Sequence, residues 1–155
     1  MKVVVVNHCP GLRVDRKLLA KVAGFVARQH NVTTGQIELA VFSDTDIARL
    51  HKQHLGRRFV TDVICFDMSS SPDAPGLRAG GFSVSLALGG QVARRQAKIY
   101  KTSINKELAL YTVHGLLHVL GCDDDTERNA QCMHQREDEL LTRLGLGTVF
   151  GRRAS

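Results

Sequence analysis

Two histidines stand four residues apart in "HGLLHVLGCDDD", His114 to Asp125, with a glycine and three aspartates behind them. On a helix, residues i and i+4 share one face with Cβ atoms about 6 Å apart, so His114 and His118 can aim both imidazoles at one point. Gly121 permits the chain to turn back through a left-handed conformation and bring a later side chain toward that point. Asp124, six residues after His118, is the favoured third ligand, with Asp123, Cys122 and Asp125 as alternatives. Zinc accepts imidazole nitrogen and carboxylate oxygen, and three protein ligands plus a water is its catalytic arrangement. An isolated HxxxH pair in a basic protein is as readily a solvated helix face, so the surrounding residues must decide.

One zinc chemistry is disfavoured at once. Peptidases of the HExxH type use the glutamate after the first histidine as general base, and that position is Gly115. The overall charge of +6 suits a polyanion such as nucleic acid. Aromatic residues make up 5% of the chain and tryptophan is absent, which argues against a base-stacking platform and leaves phosphates and shape as the expected RNA contacts. Arg57, Arg58, Arg94 and Lys98 are the candidate phosphate-binding cations. Four scattered cysteines without a CxxC pair point to reduced, mostly buried thiols rather than a disulfide framework.

The elements that must position these residues follow from periodicity. "KVVVV" at Lys2–Val6 reads as a buried strand, and Gln36–Phe42 alternates as a second. Thr61–Phe66 and Phe82–Leu88 are the third and fourth strands, the last broken by Gly89 and Gly90. Helical spacing runs from Val14 to about Gln29 through Leu18, Val22, Phe25 and Val26, and again from Ser43 or Asp44 to near Gly56. Val92, Gln96 and Ile99 mark a third helix, with Arg94, Arg95, Lys98 and Lys101 on its wetter sides. Asn105 is the expected cap of a fourth, which carries the histidines and stops at Gly121. Leu110, Val113, Leu117 and Leu120 form its expected core side. Asp125 or Thr126 opens the last helix, where Ala130, Met133, Glu137, Leu140 and Leu144 share a face. Four strands and about five helices predict an α+β fold around a mixed sheet. A chain of 155 residues fits one domain, 1–155, with 146–155 as a loose tail and 69–81 as an exposed connection. No stretch approaches the roughly 20 apolar residues of a membrane span. No leader pattern is evident, so a cytoplasmic location with no membrane partner is expected.

The segment His114-Gly115-Leu116-Leu117-His118-Val119-Leu120-Gly121-Cys122-Asp123-Asp124 resembles the His-Gly-x-Leu-His-x-x-Gly-x-Asp-His hallmark of the YbeY family. "TDVICF" at Thr61–Phe66 is similar to that family's Thr-Asp-Val-Leu-Ser-Phe strand, and "RRQA" at Arg94–Ala97 and "REDELL" at Arg136–Leu141 also fit it. The resemblance implies a central four-stranded sheet and a metal-dependent, single-strand-directed endoribonuclease of 16S rRNA maturation and ribosome quality control. It implies ribosomal RNA and the small ribosomal subunit as partners and one Zn²⁺ per chain, held by two histidines of one helix and a third ligand just beyond. His114 and His118 carry over in type, with His114 in the catalytic set, whereas Asp124 carries over by position only. Two further positions depart: Leu55 stands where the family usually has an arginine, for which Arg57 or Arg58 can substitute, and Val84-Ser85 replaces a Gly-Asp pair. A non-catalytic, zinc-stapled ribosome factor is the alternative reading.

Overall fold

The computed structural model describes residues 1–69 and 81–147; the stretch 70–80 and the tail from 148 onward lie outside the described residues. Along the chain run β1 (Lys2–Asn7), α1 (Arg16–Gln29), β2 (Gln36–Phe42), α2 (Asp44–Leu55) and β3 (Val63–Asp67). They are followed by β4 (Ser83–Gly89), α3 (Gly90–Tyr100), α4 (Ile104–Val119) and α5 (Glu127–Arg143). The four strands form one sheet in the order β1-β2-β4-β3. β1, β2 and β4 are parallel, and β3 closes the edge antiparallel to β4, with Phe66 opposite Ser85. The expected α+β class and mixed four-stranded sheet are what the chain adopts.

Alternation along the strands separates two apolar layers. Ile37, Leu39, Val41, Val84, Leu86 and Leu88 enter the main core with residues of α1, α4 and α5. Ile64 and Ala87 face the other way, against Ile47 of α2. The α1 stripe is rotated from the expected one: Leu19, Val22, Ala23 and Val26 are fully buried, and Leu18 and Phe25 lie at its margin. In α3 the buried residues are Gly90, Ala93 and Ala97, whereas Ile99 is 65% exposed. Small residues there let α3 lie close, and the strand breaks at the glycine pair, Gly89 ending β4 and Gly90 opening α3. Leu146, placed in the loose tail by sequence, packs against the main core.

The fourth helix is the centre of the molecule. It touches α1, α3, α5, β3 and β4, and the expected core side covers only part of what it buries. Glu107 through Val113 and Gly115 through Leu117 are all buried, as befits a helix apolar nearly all round. Its cap is Ser103, whose side chain accepts from the Lys106 amide, while Asn105 instead accepts from the Asp15 backbone across the molecule. Gly115 sits where α4 crosses the sheet. A Cβ there would meet Leu86 Cδ1 and Val63 Cγ2 at 3.1 Å and Cys65 Sγ at 3.2 Å. A Gly115→Val variant is therefore expected to lose about 1–3 kcal/mol by overpacking. Thermal unfolding measures it, and an unchanged midpoint would show that the helix–sheet contact has slack.

Candidate metal centre

The last turns of α4 present His114 and His118 on one face, and their Nε2 atoms lie 3.1 Å apart. The rings meet edge to face, with centroids 4.6 Å apart. Beyond them the helix closes as a Schellman-type turn: the Gly121 amide donates to His118 O and the Cys122 amide to Leu117 O. Gly121 has φ +100°, and a Cβ there would meet nothing within 4 Å, so the demand for glycine is one of backbone conformation alone. The reversed chain delivers Asp124, whose Oδ2 is 3.6 Å from His118 Nε2 and 3.9 Å from His114 Nε2. One donor atom from each of His114, His118 and Asp124 lies within 4.8 Å of the others.

These separations fit a metal. Ligand bonds of 2.0–2.2 Å in a tetrahedron place donor atoms about 3.4 Å apart, and the three observed distances bracket that value. Of the other ligands considered, Asp125 accepts from the Asn129 side chain at 2.8 Å, and Asp123 and Cys122 line a separate cavity with Cys132 and Arg136. The thiol of Cys65 donates to Gly115 O at 3.4 Å, and burial, aided by the charge of Asp62, pushes it up to about 11. It is a packing group, not a thiolate. All four cysteines are free, yet only Cys9 is buried.

A residue that the sequence placed only on a helix face completes the centre. Glu137 of α5 is fully buried, and His114 Nδ1 donates to its Oε1 at 2.5 Å. That bond assigns the proton to Nδ1 and leaves the Nε2 lone pair pointing at His118 and Asp124, the tautomer that binds a metal. Glu137 Oε2 is buried with no hydrogen-bond partner among the described residues. Asp62, just before β3, is a second unassigned acid. Its Oδ1 accepts from the Val63 amide at 2.8 Å, and its charge reaches His114. Burial disfavours the charged imidazole, but the Glu137 hydrogen bond and the charges of Glu137, Asp62 and Asp124 outweigh it and hold His114 above its ordinary 6.5. The spacing "HQRED" carried a signal for Glu137, because an acid amid Met133, Leu140 and Leu141 on a buried stripe requires a partner.

The four candidate cations lie on exposed surface, and none of them is among the groups that shift His114. Arg57 and Arg58 are exposed between α2 and β3, with the Arg57 guanidinium 5.9 Å from the Phe59 ring centroid. Arg94 and Lys98 lie one turn apart on the exposed side of α3, and Arg94 donates to Gly11 O at 3.3 Å. Leu55, at the position of the family's arginine, is 61% exposed.

Two measurements follow from this geometry. Removing the orienting carboxylate in Glu137→Gln should weaken metal affinity about 10–100-fold. The pH below which the dissociation constant begins to rise should also move lower, because the charge that raises His114 is gone; zinc dissociation constants measured across pH check both. Elemental analysis of Asp124→Ala should show metal content well below wild type, and unchanged tight loading would remove Asp124 from the site.

A model of the family described as Endoribonuclease YbeY matches residues 12–145. Among curated relatives, the endoribonuclease YbeY of Francisella tularensis subsp. holarctica is 28% identical over 136 residues, spanning 88% of this chain and 84% of its own. That of Bacillus licheniformis is 31% identical over 134 residues, spanning 83% and 84%. A Thermotoga maritima protein solved in solution shares the fold, with a TM-score of 0.57 at 17% identity over 91% of this chain and 90% of that one. Together with the HxxxH helix and the glycine turn behind it, the match over most of the chain means that this protein belongs to the YbeY family.

Proposed function

We propose that this protein is a metal-dependent endoribonuclease that cuts single-stranded RNA, with ribosomal RNA as its substrate and the small ribosomal subunit as its partner in 16S maturation and ribosome quality control. The observation that carries this reading is the convergence of two imidazole nitrogens and a carboxylate within 4.8 Å in a chain of this family. His114, His118 and Asp124 hold the ion, one Zn²⁺ per chain, and Glu137 locks the His114 tautomer. When bound, the ion supplies an acidified water and a Lewis acid for phosphate oxygen.

Charge assigns the remaining roles. Glu137, Asp62 and Asp124 all surround His114, so the centre without its ion repels a phosphodiester, and metal binding is what admits RNA. Two imidazoles and one carboxylate leave a Zn²⁺ centre one unit less positive than three imidazoles would. Arg57, Arg58, Arg94 and Lys98 make up the difference by holding the backbone on either side. A cytoplasmic location accords with an RNA substrate, and no helix among the described residues is long and apolar enough to cross a membrane. A peptidase role is not supported: Gly115 stands where such an enzyme requires its glutamate, and a Cβ there would press on Leu86, Val63 and Cys65.

Purified protein incubated with ribosomal RNA should cleave it in the presence of zinc and stop on chelation. The double variant His114→Ala, His118→Ala should fall to background. Cleavage persisting in that variant would sink the metal mechanism, and ribosome binding without any cleavage by wild type would favour a non-catalytic factor instead.

A further inference from the structure

The segment joining α2 to β3 exposes apolar surface beside the acidic centre. Phe59 is 51% exposed and Val60 39%, and the Arg57 guanidinium lies 5.9 Å from the Phe59 ring. Exposed aromatic rings flanked by guanidinium groups are what unpaired bases stack on. The low aromatic content argued against a base-stacking platform. One exposed ring is enough for one base.

Phe59 also lines a cavity of about 330 Å³, together with Thr61, Asp62, Gln96 and Tyr111 among others. Its size falls at the lower end of small-ligand sites, and its polar groups are of the kind that read a base edge. Asp62 excludes phosphate from it by charge and accepts hydrogen bonds, while the Gln96 amide can both donate and accept. The cavity also adjoins the metal centre. Tyr111 precedes His114 by three residues on α4, an axial step of about 4.5 Å, and the Asp62 charge is felt at His114.

We infer that this cavity is a nucleobase subsite, in which one unpaired base next to the scissile phosphate stacks on Phe59 and turns its edge toward Asp62, Gln96 and Tyr111. The inference rests on the endoribonuclease reading and deepens it, because it explains selection of single strands. A base held in a duplex stack cannot be splayed into the cavity. The favoured bases are those with an exocyclic amino group, which Asp62 can accept.

The test is the kcat/KM of zinc-loaded protein on a short single-stranded RNA, for wild type, Phe59→Ala and Phe59→Trp. Loss of the stacking ring should lower kcat/KM roughly 5- to 150-fold, the equivalent of 1–3 kcal/mol per stacked base, and Phe59→Trp should restore it. An RNA lacking the base beside the cleavage position should lose a similar factor with wild type and nothing further with Phe59→Ala. Wild-type efficiency in Phe59→Ala, or fully additive losses, would overturn the subsite while leaving the endoribonuclease reading intact. No cleavage by wild type would overturn both. Because Phe59 is half exposed, its variants should fold, and unchanged thermal midpoints check that.

Discussion

A carboxylate with no exposed surface must find a partner inside the protein, and Glu137 finds His114. Leaving such a charge unpaired costs several kcal/mol, so the hydrogen bond between α5 and α4 constrains everything around it. It sets how α5 lies on α4 and therefore where the chain between them must turn. It directs the His114 lone pair toward His118. With the turn at Gly121 fixed on one side and Thr126 capping α5 on the other, Asp124 has little choice but to face the two imidazoles. The candidate metal ligands are thus positioned by a residue that would not itself touch an ion.

The electrostatics of this arrangement differ from those of a three-histidine site. Three acids surround His114, and the cations lie on separate surfaces, the α2–β3 connection and the outer side of α3. Under the proposed function, affinity for RNA comes from the periphery and admission to the centre depends on the ion. Close packing around Gly115 adds rigidity, since α4 cannot shift toward the sheet without collision.

Much of the fold was legible from local pattern. β2, the extent of α2 and its Gly56 cap, and the Thr126 cap all follow from residue chemistry that acts over a few positions. Misreadings arose where packing outvoted pattern. Asn105 is a good capping residue, but it serves Asp15, 90 residues away. Ile99 has the right spacing for a core face, yet α3 buries alanine and glycine because it lies close to its neighbours. In α4 a single apolar stripe was expected, but elements pack on every side and bury the polar Glu107 and Thr112 as well. Glu107 accepts from Thr102 and Thr112 donates to Leu108 O, which is how that burial is tolerated.

By itself the sequence determined the chemistry of the centre: two imidazoles at i and i+4, a glycine that can reverse the chain, and a carboxylate within reach. Those relations are local, set by the helical repeat and by the steric freedom of one glycine. What only the tertiary structure decided is the company these ligands keep. Glu137 is 23 residues from His114, Asp62 comes from the connection just before β3, and Phe59 lines the same cavity as Asp62. No periodicity carries such distances, because they depend on how α5, β3 and the α2–β3 connection pack around a helix that is buried on nearly every side.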